Sequence, residues 1–354
     1  MKLILIVTTL FLASASYADQ KLTFGRFQSR AIFNAAVGAQ CPAPIVVMEP
    51  GSGPNGPEEM IPGELTLDGH DQPLFNQFAE GMRRGHVATL QVGKPGIDFF
   101  KGWGESDILY DKDLYVNMSW QDLIDNLFDA VTLAKTLPCV DVHRIYIFGH
   151  SEGTQVAVDF AHQHPEVKGL IMSGYSGEAL ATTVDWQLFR RVIDSWLEPD
   201  VDVNHDQIIT LDEVKSWPEF VFPPGVTQMS FAEIEATARA DQSLQDEVTG
   251  MKSLNIWKGV FDRAPIYKET AELPQDIFIF TGSVDTQTRP EEALRAKDAC
   301  AAVQKQNCHV QIVDGLTHGM SQLKGPRKQK LLDATLGPVD ESFENLLQAM
   351  TSSF

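Results

Sequence analysis

The apolar run Ile145, Tyr146, Ile147 and Phe148, passing directly into Gly149, His150, Ser151, Glu152 and Gly153, constrains this chain more than any other stretch. A strand that ends in G-x-S-x-G and continues straight into a helix forces its serine onto a cramped turn with the hydroxyl exposed. Two flanking glycines make that turn sterically possible. Alone, the motif also fits a serine near a helix N-cap, so its meaning depends on partners elsewhere.

Partners occur in the required order. Residues 277–280 read as a buried strand, followed by Gly282, Ser283, Val284 and Asp285. A second run, 309–313, is followed by Asp314 and then His318. Serine, aspartate, histidine is the chain order that an α/β architecture of this kind imposes on a catalytic triad, and open α/β sheets place their sites at the carboxyl ends of the strands. Ser151 is therefore the expected nucleophile, His318 the general base and Asp285 the carboxylate that orients it. Glu178 is the alternative carboxylate, and Asp314 is close enough to His318 to shape its turn instead. Oxyanion donors are expected from the backbone N–H of Glu152, at a helix N-terminus, and from Ser52 or Gly53 in the glycine-rich loop after the strand at 45–48.

The expected architecture is α/β: a mostly parallel central sheet with helices on both faces. Helices are read at 72–85, 120–136, 152–164, 289–304 and 341–352, and further strands at 86–92, 144–148 and 167–173. This alternation lapses between about 176 and 272, which predicts a largely helical insertion, or cap, between two parts of the main domain, 19–175 and 273–354. Trp186, Phe189, Trp196, Trp217, Phe220 and Phe222 in the insertion suit either an acyl pocket or a small helical core.

Residues 1–18 carry one lysine, an apolar stretch and small residues before Ala18, the pattern of a cleaved secretory leader. Secretion or a periplasmic location is expected, with roughly 336 residues remaining and no later apolar run near the length of about 20 needed to span a membrane. Four cysteines in an exported chain predict disulfides. Three pairings are possible; Cys41 and Cys139 each precede a strand, while Cys300 and Cys308 bracket a helix-to-strand turn, which favours Cys41–Cys139 and Cys300–Cys308. The net charge of -20, without a basic stripe, excludes nucleic acid as an expected partner. Asn117, Met118 and Ser119 fit a glycosylation acceptor. Oligomeric state is not encoded in any recognisable pattern.

With these residues in place, the sequence resembles the α/β-hydrolase superfamily, in particular exported esterases and peptidase-like hydrolases whose first loop reads Gly-Ser-Gly-Pro, here Gly51, Ser52, Gly53 and Pro54. The resemblance runs through most of 41–318 except the insertion. It implies that Ser52 lies at the oxyanion loop and that Ser151, Asp285 and His318 act together. Many relatives continue the loop with an Asp-Arg-Asp-like segment, where this chain has 55–59, and carry Asp-Lys-Arg-Gly where this chain has 93–96. These departures lie outside the triad pattern, so the resemblance implies a mechanism and not a substrate.

A second pattern lies within the insertion. Asp202, Asn204, Asp206, Ile208, Thr210 and Glu213 occupy positions 1, 3, 5, 7, 9 and 12 of a loop that resembles an EF-hand calcium loop. Its oxygen set suits calcium over zinc; Gln207 stands where glycine is usual. A single structural Ca2+ is expected, and no organic cofactor. The leading functional expectation is a serine hydrolase that cleaves small-molecule carboxylic esters through an acyl-enzyme. The alternatives are a serine peptidase of the same fold acting on peptides, and a non-catalytic calcium-dependent binding protein.

Overall fold

Eight strands form one sheet in this computed structural model, which describes residues 19–66, 68–216, 220–323 and 337–354. The expected leader and Trp217 lie outside the described residues. β1 (Gln20–Phe24) and β2 (Ser29–Asn34) make an antiparallel hairpin. β3 (Ala43–Glu49), β4 (Ala88–Val92), β5 (Val140–His150), β6 (Gly169–Ser173), β7 (Asp276–Gly282) and β8 (Cys308–Val313) follow. The order across the sheet is β1-β2-β4-β3-β5-β6-β7-β8. β2 meets β4 antiparallel, and every later pairing is parallel.

Burial on both faces explains the unbroken apolar runs of the central strands. Successive side chains of β3 alternate between two cores. Ile45 and Val47 pack with Leu123, Leu127, Val156 and Phe160, which come from helices α2 (Trp120–Ala134) and α3 (Glu152–Gln163). Val46 and Met48 face Phe75, Phe78, Phe343 and Leu347 on the opposite side, supplied by α1 (Leu74–Arg84) and the helix Glu341–Thr351. The fold is therefore the α/β-hydrolase arrangement, with helices on both faces of a mostly parallel sheet.

The hairpin of β1 and β2 is absent from the sequence reading. β1 is an edge strand with alternating exposure, so its polar half masks the strand signal. The disulfides are Cys41–Cys139 and Cys300–Cys308. Cys41 and Cys139 precede the neighbouring strands β3 and β5, and the Ala43 N–H donates to the Cys139 carbonyl at 2.7 Å.

Between β6 and β7 the chain forms short helical turns, a two-stranded hairpin of Ile208–Thr210 with Gln228–Ser230, and the helices Phe231–Ala240 and Gln242–Ser253. Helical periodicity runs on through 231–247, but the helix breaks at Asp241, whose side chain accepts from the Ser243 N–H and caps the second helix. Trp196, Phe220 and Phe222 join Ile193, Leu197, Ile209 and Phe231 in a separate apolar core. Among the described residues, no helix is long and apolar enough to cross a membrane.

Candidate active site

β5 ends at His150 and α3 begins at Glu152, leaving Ser151 alone on the turn with φ 53° and ψ -123°. That backbone conformation is costly for a residue with a side chain and persists only where the surroundings enforce it. The Ser151 N–H donates to the Ser173 carbonyl at 3.0 Å, tying the turn to β6. A Cβ at Gly149 would meet the Gly153 carbonyl oxygen at 2.4 Å, and one at Gly153 would meet the Glu49 carbonyl oxygen at 2.5 Å. Close backbone approach, more than torsional freedom, therefore requires both glycines of the motif.

Asp285 follows the end of β7 and is buried. Its Oδ1 accepts from the N–H groups of Gln287 and Thr288 at 2.8 and 2.9 Å, and its Oδ2 from Thr288 Oγ1 at 3.0 Å. Oδ2 also lies 2.9 Å from His318 Nδ1. A carboxylate fixed on both oxygens can hold one imidazole tautomer, with Nε2 left for proton transfer. Gly174 makes room for this ring: its φ is +58°, and a Cβ there would fall 2.7 Å from His318 Cε1. Glu178 points elsewhere, pairing with Arg295 Nη1 at 2.9 Å, and Asp314 accepts from Ser283 Oγ at 3.2 Å in the adjoining turn.

Ser151 and His318 line one cavity of about 320 Å³, together with Ser52 of the loop after β3. Asn55 shapes that loop, donating its side-chain amide to the carbonyls of Gly51 and Ser52 at 3.0 and 2.8 Å. Pro54, Ile61, Ile97, Phe100, Trp103 and Ile108 supply apolar wall. Among the described residues, none that lines the cavity comes from 176–272. Of the insertion's aromatics, Trp196, Phe220 and Phe222 pack in the small core and Trp186 and Phe189 are buried, while the apolar cavity wall comes from the segments after β3 and β4.

Behind Ser151 lie three acidic side chains and a lysine side chain to which the sequence assigns no role; of Glu152 only the backbone N–H was expected to act. Lys94 and Glu152 are both buried and paired at 2.8 Å, and the second Glu152 oxygen accepts from Trp257 Nε1 at 2.5 Å. Burial opposes the Lys94 charge, but Glu152 and neighbouring groups outweigh it and hold the ammonium above its ordinary range. Glu59 Oε1 lies 2.8 Å from His150 Nδ1 and accepts from the Gly51 N–H at 2.8 Å. Glu49, at the end of β3, is fully buried with neither carboxyl oxygen hydrogen-bonded. Burial pushes its carboxyl up to about 8, against the pull of Lys94. The available signal was charge in the wrong place: a glutamate closing an all-apolar strand, and a lysine just beyond β4.

Burial of Glu49 couples its protonation to folding. Between the unfolded carboxylate range and about 8, the folded chain retains a proton that the unfolded chain has lost, so stability falls as pH rises through that window. Glu49→Gln is expected to remove this dependence and to melt higher than the wild type at pH 8–9, by about a few kcal/mol of stability. The gap should close toward pH 5 in thermal melts; a constant gap across that range would count against a proton on Glu49.

The segment read as an EF-hand-like loop, 202–213, turns through left-handed residues. His205 and Gln207 adopt φ of 56° and 64°, and Asp202 accepts from the N–H groups of Asp206 and Gln207 at 3.1 and 2.8 Å. Asn204 Oδ1 accepts from the Asp206 N–H at 3.1 Å. Glu213 is directed to Thr210, accepting from its N–H at 2.9 Å and its Oγ1 at 2.7 Å, and Ile208 begins the short hairpin. Among the described residues, no group of three or more His, Cys, Asp or Glu side chains is gathered as a metal site.

The family described as Serine aminopeptidase, S33, a hydrolase family, matches residues 94–322, more than half of the chain. No curated protein matches it in sequence. Among solved structures, the chain is similar to Est1E from Butyrivibrio proteoclasticus, at 13% identity over 95% of this chain and 96% of that chain, with a TM-score of 0.47. It is also similar to proline iminopeptidase of Mycobacterium smegmatis, at 12% identity over 95% and 98% of the two chains and a TM-score of 0.48. Paleococcus ferrophilus monoacylglycerol lipase is similar at 13% identity over 92% and 98%, with a TM-score of 0.44. These likenesses carry no choice of substrate.

Proposed function

This chain belongs to the Serine aminopeptidase, S33 family of hydrolases, and from that premise we propose that it is an exported serine hydrolase that cleaves small carboxylic esters. The observation that carries the reading is the strained Ser151 elbow facing the same cavity as His318, whose Nδ1 is held by Asp285. Ser151 Oγ attacks the carbonyl carbon while His318 takes its proton. Negative charge on the carbonyl oxygen is met by the N–H of Glu152 and by that of Ser52 or Gly53. Collapse breaks the ester C–O bond, the leaving alcohol receives the proton, and water repeats the sequence to release the acid.

The apolar walls at Ile61, Ile97, Phe100 and Ile108 support an ester with an apolar acyl group. A peptidase is the second reading, favoured by Glu58, a cavity-lining carboxylate that burial pushes above its ordinary range and that a peptide's amino terminus would meet. Turnover of p-nitrophenyl esters from acetate to palmitate, set beside aminoacyl p-nitroanilides, separates the two. A fluorophosphonate that labels neither substrate-free nor substrate-treated protein would favour the non-catalytic binding reading. Two disulfides and the leader-like 1–18 segment support export.

The reading includes calcium in the insertion. Asp202, Asn204, Asp206 and Thr210 offer oxygen donors, the Ile208 carbonyl a further one, and Glu213 would have to turn from Thr210 toward Asp202 to join them. With a dissociation constant in the range of extracellular modules, about 10⁻⁴–10⁻³ M, 10 mM calcium is expected to add about 1–3 kcal/mol of stability over EDTA. Unchanged melting in calcium and EDTA would remove the ion from the proposal.

A further inference from the structure

Glu59 stands where an acid is hard to keep. Its backbone is left-handed at φ 43° without being glycine, and its side chain is 5% exposed. Only one of its oxygens is engaged: Oε2 is buried without a partner, whereas Oε1 receives the Gly51 N–H at 2.8 Å and faces His150 Nδ1 at 2.8 Å. Gly51 opens the loop that carries Ser52 and Gly53, and His150 immediately precedes Ser151. The other ring nitrogen of His150, Nε2, lies 3.3 Å from the His318 carbonyl oxygen. Both imidazole nitrogens therefore face oxygen atoms, one on the loop side and one on the base side. Space is equally tight, since a Cβ on Gly51 would fall 2.9 Å from Glu59 Oε1 and 3.0 Å from Ser151 Cβ.

We propose that Glu59 is a positioning residue that, through Gly51 and His150, sets the oxyanion-loop donors against Ser151. The proposal rests on the serine hydrolase reading above. The Gly51 N–H is committed to the clamp, so it is not an oxyanion donor; its engagement fixes the direction in which the next two N–H groups point. Glu59 itself transfers no proton and touches no reacting atom. Its loss should therefore act on the transition state and leave ground-state binding nearly intact.

The test compares wild type, Glu59→Ala and Glu59→Gln on p-nitrophenyl butyrate, with a trifluoromethyl ketone as a probe that forms a tetrahedral oxyanion on the serine. Glu59→Ala is expected to lose about 10²–10³-fold in kcat, the scale of one lost oxyanion donor, with KM within about threefold. Ketone affinity should fall by the same factor as kcat. Glu59→Gln, which still offers Gly51 an acceptor, should recover at least about tenfold of the loss. A kcat within about threefold of wild type, or a fall in kcat with ketone affinity unchanged, overturns the proposal. If Glu59→Ala does not fold, His150→Phe removes the other side of the clamp and must show the same proportional loss. Fluorophosphonate separates the two levels: an unlabelled wild type ends the serine reading and this inference with it, whereas equal labelling rates in wild type and Glu59→Ala end this inference alone.

Discussion

Replacement of Ser151 by alanine is expected to lower kcat on a turned-over ester by on the order of 10⁶-fold, with the protein still folded. The magnitude follows from what is removed. Without the hydroxyl there is no acyl-enzyme, and only binding and the oxyanion donors remain to assist direct attack by water. Folding should survive because the elbow is enforced by backbone packing at Gly149 and Gly153 and by the Ser151 N–H on Ser173, all of which alanine retains. Steady-state kinetics with a fluorophosphonate titration of active sites checks the expectation. Wild-type turnover in the alanine variant would move the nucleophile elsewhere.

Asp285→Asn is the second large effect, expected at about 10⁴-fold in kcat with little change in size or fold. The amide would retain an acceptor for Gln287 and Thr288 but would no longer present a charged oxygen to His318 Nδ1, so the imidazole could settle in the wrong tautomer. Glu178→Gln is the matched control. Glu178 is taken up by Arg295 at 2.9 Å, and Arg289 lies within 3.7 Å of the same oxygen, so its loss should be felt in melting temperature and hardly in kcat. Equal kinetic losses in the two variants would return Glu178 to the role of orienting carboxylate.

Much of this arrangement was readable because buried parallel strands need continuous apolar sequence and their carboxyl ends need turns. Residues 45–48, 145–148 and 277–280 announce themselves in that way, and each ends where a loop, Ser151 or Asp285 is wanted. The elbow glycines were readable for a related reason, since a Cβ on Gly149 would fall 2.4 Å from the Gly153 carbonyl oxygen and leave no room for another residue. β1 was missed because an edge strand exposes half its side chains, and the break at Asp241 was missed because helix periodicity continues across it. Glu59, His150 and Lys94 illustrate a deeper limit. Isolated polar residues announce neither burial nor partners, and Glu59 meets a histidine 91 positions away; only the folded chain brings such pairs together.

The cavity is walled largely by residues 54–62 and 97–108, whereas the insertion grips the helix after Ser151, with Trp257 on Glu152 and Arg263 on Gln155 and Asp159. On the serine hydrolase reading, most of the cavity wall and the insertion's contacts to the helix after Ser151 are consequently carried by separate stretches of chain, while Glu59 belongs both to the wall and to the support of the Ser151 turn. On that reading, wall residues other than Glu59 can be exchanged to admit a different molecule while the insertion's contacts to the helix after Ser151 stay as they are. For protein engineering, this separates two kinds of library: one confined to apolar wall residues such as Ile61, Ile97 and Phe100 to search for new substrates, and one at Glu59 and the Trp257 contact to search for speed.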